Sequence, residues 1–185
     1  SGTFDVTSTS GSITNSGTLD IEGIGTFMVS NGQSITLNSS SNDFTATPVF
    51  SASSGTIANV IVTDNTALVF GGLTLTGDLT ATVSGGAVTQ SGAMVVPGTT
   101  TVSASGQNVT FNNTSNNFGT IGVTGADVTL KDTNAVIIAA STITGDLSVT
   151  ASGVITDSGN ISVDGSGKTA TFAAGSSNNI TLDSN

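Results

Sequence analysis

The stretch GDLTATVSGGAVTQSG, residues Gly77–Gly92, returns as GDLSVTASGVITDSG at Gly145–Gly159, and an imperfect earlier version, SGSITNSGTL, occupies Ser10–Leu19. A second block repeats as well, since SITLNSSSNDF at Ser34–Phe44 matches NVTFNNTSNNF at Asn108–Phe118. The two pairs of blocks are offset by nearly the same length of chain. The chain is therefore built from imperfect units of about 70 residues, and self-similarity of this kind is typical of repeat proteins.

We divide the chain into units of about 1–76, 77–144 and 145–185, which together form a single domain. Each unit exceeds the roughly 20 to 50 residues of most solenoid coils, so it must subdivide. Each coil is expected to hold three strands, three coils to make a unit, and about eight coils to fill the chain. The evidence is a series of runs in which apolar and polar residues alternate. These runs begin at Asp78, Thr99, Ala126 and Asp146, and two shorter runs lie between consecutive members of the series.

This pattern predicts an all-β fold, a β-solenoid of stacked short strands with almost no helix. Stacking pairs each strand with its equivalents in the coils above and below, which removes most open sheet edges. Because the chain begins and ends inside copies of the repeat, we expect it to be a segment of a longer protein. The segment Thr45–Thr56 departs most from the repeat, and we expect a local irregularity there. Its Pro48 cannot donate to a ladder and belongs at a strand start, bulge or corner.

The same alternation assigns a buried and an exposed set of side chains. The inward residues are expected to be Leu79, Ala81, Val83, Val102, Val128, Leu130, Leu147 and Val149. The outward residues are expected to be Thr80, Thr82, Thr129 and Ser148. Glycine and asparagine residues mark the corners between strands, where a positive φ is tolerated.

Charge and composition exclude several classes of partner. Twelve acidic residues against two lysines give a net charge of −10, which repels nucleic acid phosphates and anionic membrane surfaces. We therefore expect no nucleic acid partner. No apolar run approaches the roughly 20 residues that span a bilayer, so we expect no membrane insertion of this segment. The absence of cysteine excludes disulfides and thiolate metal sites.

The residues that usually carry catalysis are missing. Without His, Cys, Tyr or Arg, a nucleophilic serine has no usual base, zinc has no imidazole or thiolate ligand, and phosphate has no guanidinium clamp. The remaining candidates are carboxylate pairs of the kind that hydrolyse glycosides, namely Asp127 with Asp132 and Asp157 with Asp164. Solvated turn acids explain these residues better. We predict that the segment is not an enzyme and has no catalytic, metal or cofactor-binding residues and no cofactor.

Calcium is a separate question, because a hard cation takes oxygen ligands. Three turns are rich in oxygen atoms: Asn38–Asp43, Asn112–Asn117 and Asp164–Lys168. The glycine-aspartate nonapeptide of calcium-binding β-rolls does not occur, and the last turn contains a lysine. We expect the corner asparagines to bond the backbone or to stack as ladders, and calcium binding is left open. The sequons at Asn108 and Asn179 are expected by chance from this composition.

The GDLTATVSGGAVTQSG and GDLSVTASGVITDSG blocks, together with NVTFNNTSNNF, resemble the repeats of large bacterial surface adhesins of the filamentous haemagglutinin type. These adhesins are two-partner-secreted exoproteins, and the resemblance covers nearly the whole chain. It implies a right-handed parallel β-helix that is exported unfolded and folds outside the cell. It further implies a long rod that carries adhesive regions, located in the secreted fraction or at the bacterial cell surface.

We therefore expect a structural and adhesive rod segment of a cell-surface fibre. Its expected partners are a host or surface receptor, a polysaccharide or other copies of the same fibre. One alternative is a polysaccharide-binding or polysaccharide-degrading β-helix, which would need a long insertion that builds a cleft. The other is an ice-binding solenoid, suggested by Thr74-Leu75-Thr76 and Thr80-Ala81-Thr82. It requires threonine on one flat face in every coil, and these runs are not regular enough in the sequence.

Overall fold

A computed structural model describes residues 2–184, and these residues contain β-strands and no helix. In chain order the strands are β1 (Phe4–Thr7), β2 (Ile13–Thr14), β3 (Asp20–Ile21), β4 (Gly25–Val29), β5 (Ile35–Leu37), β6 (Asp43–Phe44), β7 (Val49–Ala52), β8 (Val60–Asp64), β9 (Leu68–Phe70), β10 (Leu73–Thr74), β11 (Leu79–Val83), β12 (Val88–Gln90), β13 (Met94–Ser103), β14 (Val109–Phe111), β15 (Asn117–Gly125), β16 (Val128–Asp132), β17 (Val136–Ile138), β18 (Ser141–Ile143), β19 (Leu147–Ala151), β20 (Ile155–Asp157), β21 (Ile161–Val163), β22 (Ala170–Ala173) and β23 (Ile180–Thr181).

The strands stack in three faces around one axis. Face 1 consists of β1, β4 and β7, followed by β10, the first parts of β13 (residues 94–96) and β15 (residues 117–118), and then β17, β20 and β23. Face 2 consists of β2, β5, β8 and β11, the second parts of β13 (residues 99–103) and β15 (residues 120–125), and then β18 and β21. Face 3 consists of β3 and β6, followed by β9, β12, β14, β16, β19 and β22. The paired strands within these faces run parallel, as a solenoid requires.

Coil length varies along the axis. A long coil in the first unit runs from Ile35 to its partner Val60. A later coil is shorter and runs from Val128 to its partner Leu147. The chain makes about eight turns, which confirms the predicted all-β solenoid of about eight coils.

The core is a continuous column of apolar side chains inside the three faces. All eight residues predicted to point inward are buried, and none exposes more than 4% of its surface. Phenylalanines form two clusters within this column. Phe27 lies 6.0 Å from both Phe44 and Phe50, measured between ring centroids, and Phe111 lies 5.9 Å from Phe118. The predicted outward residues are half-buried or exposed, so the alternation was assigned correctly.

The repeat unit and the coil do not match in length. The pair β8 and β11 lies on face 2, whereas β16 and β19, which correspond to it one unit later, lie on face 3. In the same way β10 on face 1 corresponds to β18 on face 2. One repeat unit therefore spans three whole coils plus one face of the next coil. The expectation of three coils per unit is wrong by a third of a turn, so equivalent residues in successive units point in different directions around the axis.

The segment Thr45–Thr56 is irregular for a reason that the repeat makes clear. Fifteen residues, 45–59, separate Phe44 from Val60, but only nine, 119–127, separate the equivalent Phe118 from Val128. The first unit thus carries a six-residue insertion. Pro48 is buried directly before β7, which confirms its predicted place at a strand start. Strand β7 itself pairs regularly with β4, so the irregularity lies in the residues after β7.

Candidate binding surfaces

Face 2 presents two aligned columns of outward side chains, most of them hydroxyl-bearing. One column continues over six successive coils as Thr63, Thr82, Ser103, Thr124, Thr142 and Ser162. The other runs through Thr14, Thr36, Ile61, Thr80 and Thr101 and ends at Gly122, which is buried and has no side chain. Neighbouring members of a column are about 4.8 Å apart, and the two columns are separated by roughly 6.7 Å along the strand.

This face is almost free of charge. Among residues 2–184, the strands of face 2 contain one charged residue, Asp64, and it is fully buried. Threonine occupies eight of the twelve positions in the two columns. Such a surface suits an uncharged, regularly spaced partner better than a charged one.

Asparagine and aspartate side chains at the corners bind the backbone of the next coil. The side-chain oxygen of Asn59 accepts the Asp78 N–H at 2.7 Å, and the Asp78 carboxylate accepts the Thr99 N–H at 2.7 Å. The same arrangement recurs one face further on, where the Asp127 carboxylate accepts the Asp146 N–H at 2.9 Å. These side chains act as corner caps in a ladder between coils.

The last member of this series shows how the capping affects ionisation. The Asp146 carboxylate accepts the Thr169 N–H at 2.8 Å and the Thr169 hydroxyl at 3.2 Å. The backbone hydrogen bond from Thr169 lowers the pKa of Asp146 below its usual value, and the positive charge of Lys168 contributes. The charged form of Asp146 is therefore the form that holds the corner.

The two candidate carboxylate pairs are not brought together. Asp127 lies before β16 and Asp132 ends it, with the whole strand between them. Asp127 is exposed in the corner ladder, but Asp132 is buried and accepts the N–H groups of Phe118 at 2.7 Å and Asn134 at 2.8 Å. The interpretation as a solvated turn acid is thus wrong for Asp132. Each oxygen of Asp132 thus accepts a hydrogen bond from a backbone N–H group.

The second pair is separated in the same way. Asp157 ends β20 and accepts the N–H of Asp183 at 3.0 Å, whereas Asp164 follows β21 and is exposed to solvent. Strand β21 lies between the two carboxylates. A glycosidase pair needs both carboxyl groups to flank a single bond, so neither pair has this arrangement.

Sequence reasoning missed a buried acid on face 2. Asp64 is fully buried at the end of β8, and its Oδ1 atom accepts the N–H of Phe44 at 3.4 Å and both the N–H and the hydroxyl of Thr66 at 2.9 Å. Its Oδ2 atom has no partner among the described residues. Burial raises the pKa of Asp64 above its usual value, and the Asp43 carboxylate adds to this rise, while hydrogen bonds from Thr66 and Phe44 oppose it.

A signal for the burial of Asp64 was present in the sequence. Period-2 alternation through β8 places Asp64 in the same inward row as Val60 and Val62. Burial likewise raises the pKa of Asp132, which ends β16 in the equivalent position of the second unit. The two acids are thus a repeated feature of the fold.

The oxygen-rich turns considered for calcium contain buried asparagines that already have partners. The Asn42 Oδ1 atom accepts the Leu19 N–H at 2.9 Å, and its Nδ2 group donates to the Leu37 carbonyl oxygen at 3.1 Å. Asn116 repeats these contacts with Met94 at 2.9 Å and Phe111 at 3.3 Å. The prediction that corner asparagines bond the backbone is confirmed for both residues.

The third oxygen-rich turn, Asp164–Lys168, has a different conformation. Gly165 and Gly167 adopt positive φ values of 152° and 78°, and the Lys168 N–H donates to the Gly165 carbonyl oxygen at 3.3 Å. Within residues 2–184, no three acidic side chains come close enough together to hold a metal ion.

The inserted segment leaves a strand uncovered on the side of the stack. The next coil contacts this coil at two places. Gly71 lies over Thr47, whose Cγ2 atom is 3.7 Å from an ideal Cβ position on Gly71, and Leu75 forms a β-bridge with Ile57. Between these two contacts the first coil has nine residues, 48–56, whereas the next coil has only three, 72–74. Strand β7 is consequently the last strand of a three-stranded sheet, with β4 as its one partner among the described residues.

A cleft of about 230 Å³ opens beside this uncovered strand. It is lined by Phe50, Ser51, Ala52, Gly55, Thr56, Ile57 and Thr74. The aromatic ring of Phe50 forms part of its wall, and the polar lining comes from neutral groups. The sequence showed the insertion, but the bypass that leaves the strand open depends on the path of the following coil.

The repeated sequence assigns the chain to a protein family. A family model described as "Repeats of unknown function (DUF5649)" matches residues 1–51, 57–124 and 125–185. The chain belongs to this family. No curated protein and no solved structure matches the DUF5649 chain. Within residues 2–184 it has no helix of the length and apolarity needed to span a membrane.

Proposed function

We propose that this DUF5649 segment is a structural and adhesive rod in a secreted or cell-surface bacterial fibre, of the filamentous haemagglutinin type that its repeats resemble. The observation that carries the proposal is the continuous parallel pairing of face 2 from β2 to β21 around an unbroken apolar core. A stack of this kind transmits its shape from coil to coil and extends by adding units. Its partners would be a surface receptor, a polysaccharide or other copies of the fibre.

The distribution of polar groups supports a mechanical role. The most deeply buried polar side chains, such as Asn42 and Asn116, hold one coil to the next instead of converging on a cleft. Exposed carboxylates at the corners do the same. The net charge of −10 keeps the exterior solvated and opposes non-specific aggregation.

The test is the removal of one repeat unit, residues 77–144, from the full-length protein on the bacterial surface. We expect surface display and attachment to abiotic and host surfaces to be retained, because the remaining coils restack. The variant Leu147→Asp in the same protein serves as the control, since it disrupts the core and should reduce display. Loss of attachment in the deletion variant with display preserved would contradict the rod role and assign binding to the segment itself.

A second candidate function is favoured by the hydroxyl columns of face 2. The sequence alone did not show threonine on every coil, but the pairing register aligns Thr or Ser on six successive coils in one column. Uncharged, regularly spaced hydroxyl and methyl groups are the features expected of a surface that binds ice.

Thermal hysteresis of the purified chain tests this candidate. Ice binding predicts a freezing-point gap that disappears in Thr82→Lys, which places a charge in the middle of the column. The variant Thr129→Lys changes an outward threonine on face 3 and is the matched control. No hysteresis in the parent chain, or equal hysteresis in both variants, would rule out an ice-binding role for face 2.

A further inference from the structure

The uncovered edge of β7 leaves one side of this strand without a partner strand among the described residues. The N–H of Ser53 donates to the Val29 carbonyl oxygen at 2.8 Å, toward β4. Successive residues of a parallel strand direct their backbone groups to opposite sides. Phe50 and Ala52 therefore direct their N–H and C=O groups to the open side, where no strand of the described chain pairs with them.

Such an edge is a template for an additional strand. Strand β7 lies on β4 in register, with Phe50 opposite Phe27. The two rings are stacked, with centroids 6.0 Å apart and an angle of 26° between their planes. Phe50 is half-buried and faces the cleft, so an aromatic side chain from an added strand would stack on it as Phe50 stacks on Phe27.

The side chains around the edge select for an apolar strand. Val49 and Ser51 lie on the outward side of β7, where Val49 exposes 42% of its surface and Ser51 is half-buried. No charged residue occurs from Phe44 to Thr63. A strand with apolar residues at alternate positions would bury both its inward side chains and the backbone groups of Phe50 and Ala52.

Charge complementarity defines the ends of that strand. Residues 1–76 contain five acidic residues and no lysine or arginine; the acids are Asp5, Asp20, Glu22, Asp43 and Asp64. Asp5 belongs to the outward column two coils from Val49. Lysine or arginine beside the apolar core of an incoming strand would be attracted to this half of the rod, whereas a second copy of the chain, itself at −10, would be repelled.

We propose that the open edge of β7 binds an extended peptide segment of a partner protein by β-strand addition. The segment is apolar at alternate positions, places an aromatic or large aliphatic side chain over Phe50, and is flanked by basic residues. This interaction is independent of the rod role, because a bare stalk needs no open edge. A rod with such an edge can anchor an accessory protein at a defined place along its length.

The probe is a fluorescein-labelled peptide, Lys-Lys-Val-Phe-Ser-Ala-Lys-Lys, which copies β7 between basic ends. Fluorescence anisotropy with the intact chain should show saturable binding. Ala52→Pro removes one N–H on the open side and none on the β4 side, and proline is tolerated on edge strands. We expect this variant to weaken binding by about tenfold or more, given the value of a hydrogen bond whose partner is left unsatisfied, with the circular dichroism spectrum unchanged.

Modified peptides keep the test decisive if Ala52→Pro alters folding. If the peptide pairs in the register of β7 on β4, methylation of the backbone nitrogen at its Val and Ser should abolish binding, because these amides face the protein. Methylation at its Phe and Ala should have little effect. A peptide with serine in place of every lysine should bind more weakly at low salt.

Three results would overturn the proposal. The first is no binding of the parent peptide, and the second is equal binding of both methylated peptides. The third is binding that depends on the lysines but not on Phe or on Ala52→Pro, which would indicate non-specific charge attraction. A chain dimer that Ala52→Pro dissociates in sedimentation equilibrium would show a second copy at this edge and overturn the choice of partner.

Discussion

At the scale of single residues, Thr100 marks a weak point in the core. It lies in the inward row of face 2 between Leu79 and Ile121, it is fully buried, and its hydroxyl has no partner among the described residues. Burying a hydroxyl without a hydrogen bond costs free energy that an apolar group of the same shape would not.

Thr100→Val should therefore stabilise the chain by about 1 kcal/mol, because it replaces the unsatisfied hydroxyl with a methyl group. The neighbouring Thr101→Val, on the exposed side of the same strand, is the control and should change the free energy of unfolding by less than about 0.5 kcal/mol. Urea denaturation measures both. A destabilised Thr100→Val, or equal effects of the two variants, would mean that the hydroxyl has a partner.

Asp64 predicts an unusual dependence of stability on pH. Its pKa is raised in the folded chain above the reference value of 3.8. As the pH rises, the folded state therefore keeps the proton of Asp64 to a higher pH than the unfolded state does. The contribution of Asp64 to stability is then fully present below the unfolded pKa and is lost as the pH rises through the folded pKa. Asp64→Asn should remove this loss, so that unfolding midpoints measured from about pH 3 to pH 7 decline less than in the parent chain.

Asp146→Asn is the matched control with the opposite sign. The pKa of Asp146 is lowered in the folded chain, so its contribution is present above the unfolded pKa and is lost as the pH falls through the folded pKa. Removing this carboxylate should flatten the acid side of the profile. If the two variants shifted the profile in the same direction, the assignment of the buried acid would be wrong.

The sequence predicted residue positions well where type and pattern agreed. Leu79, Val128 and Leu147 occupy inward rows and are apolar, so alternation alone identified them. Alternation also places Thr100 and Asp64 in inward rows, but side chains of these types are usually exposed, so pattern and residue type disagreed. Their burial depends on hydrogen bonds and packing between coils that are distant in sequence, and a single sequence does not show these contacts.

At the scale of elements, each strand depends on the strands above and below it. Leu147 begins β19, pairs with Val128 on one side and Ala170 on the other, and exposes 2% of its surface. Leu147→Asp should destabilise the chain by more than about 4 kcal/mol, because it buries a charge that has no partner. The exposed Thr150 lies in the same strand, and Thr150→Asp should be nearly neutral.

Chemical denaturation followed by circular dichroism measures this difference. The comparison holds the strand, the charge and the introduced residue constant, so only the direction of the side chain varies. Similar midpoints for Leu147→Asp and Thr150→Asp would show that the inward and outward sides of β19 had been exchanged.

Elements differ in how far the sequence defined them. The strand pattern and the position of Pro48 were predictable, because proline restricts where a ladder can start. The open edge of β7 was not, since it arises from the path of residues 72–74 in the following coil. The comparison of Phe44–Val60 with Phe118–Val128 shows the insertion, but not which side of the stack it leaves uncovered.

At the scale of the whole molecule, the mismatch between unit and coil has a consequence for engineering. Deleting residues 77–144 joins Thr76 to Gly145, so Ser148 takes the sequence position of Thr80. In the deletion variant Ser148 should therefore pair with Ile61, as Thr80 does in the intact chain. Everything beyond the junction rotates by a third of a turn.

Cysteine cross-linking tests this rotation, and the chain has no native cysteine to interfere. Ile61→Cys with Ser148→Cys should form a disulfide on mild oxidation in the deletion variant. The same pair should stay reduced in the intact chain, where residue 148 lies on face 3 and pairs with Thr129. A disulfide in both chains, or in neither, would contradict the advance by one face per unit.

The most direct test of the central claim, a rod of regularly stacked coils, is a set of spin-label distances along one column of face 2. One label is placed at residue 63 and the second at 124, 142 or 162, which are three, four and five coils away. Pulsed electron paramagnetic resonance should give narrow distributions that increase by about 4.8 Å per coil, to roughly 24 Å for the last pair. Distances that do not increase in this order, or that are broad for every pair, would contradict the solenoid.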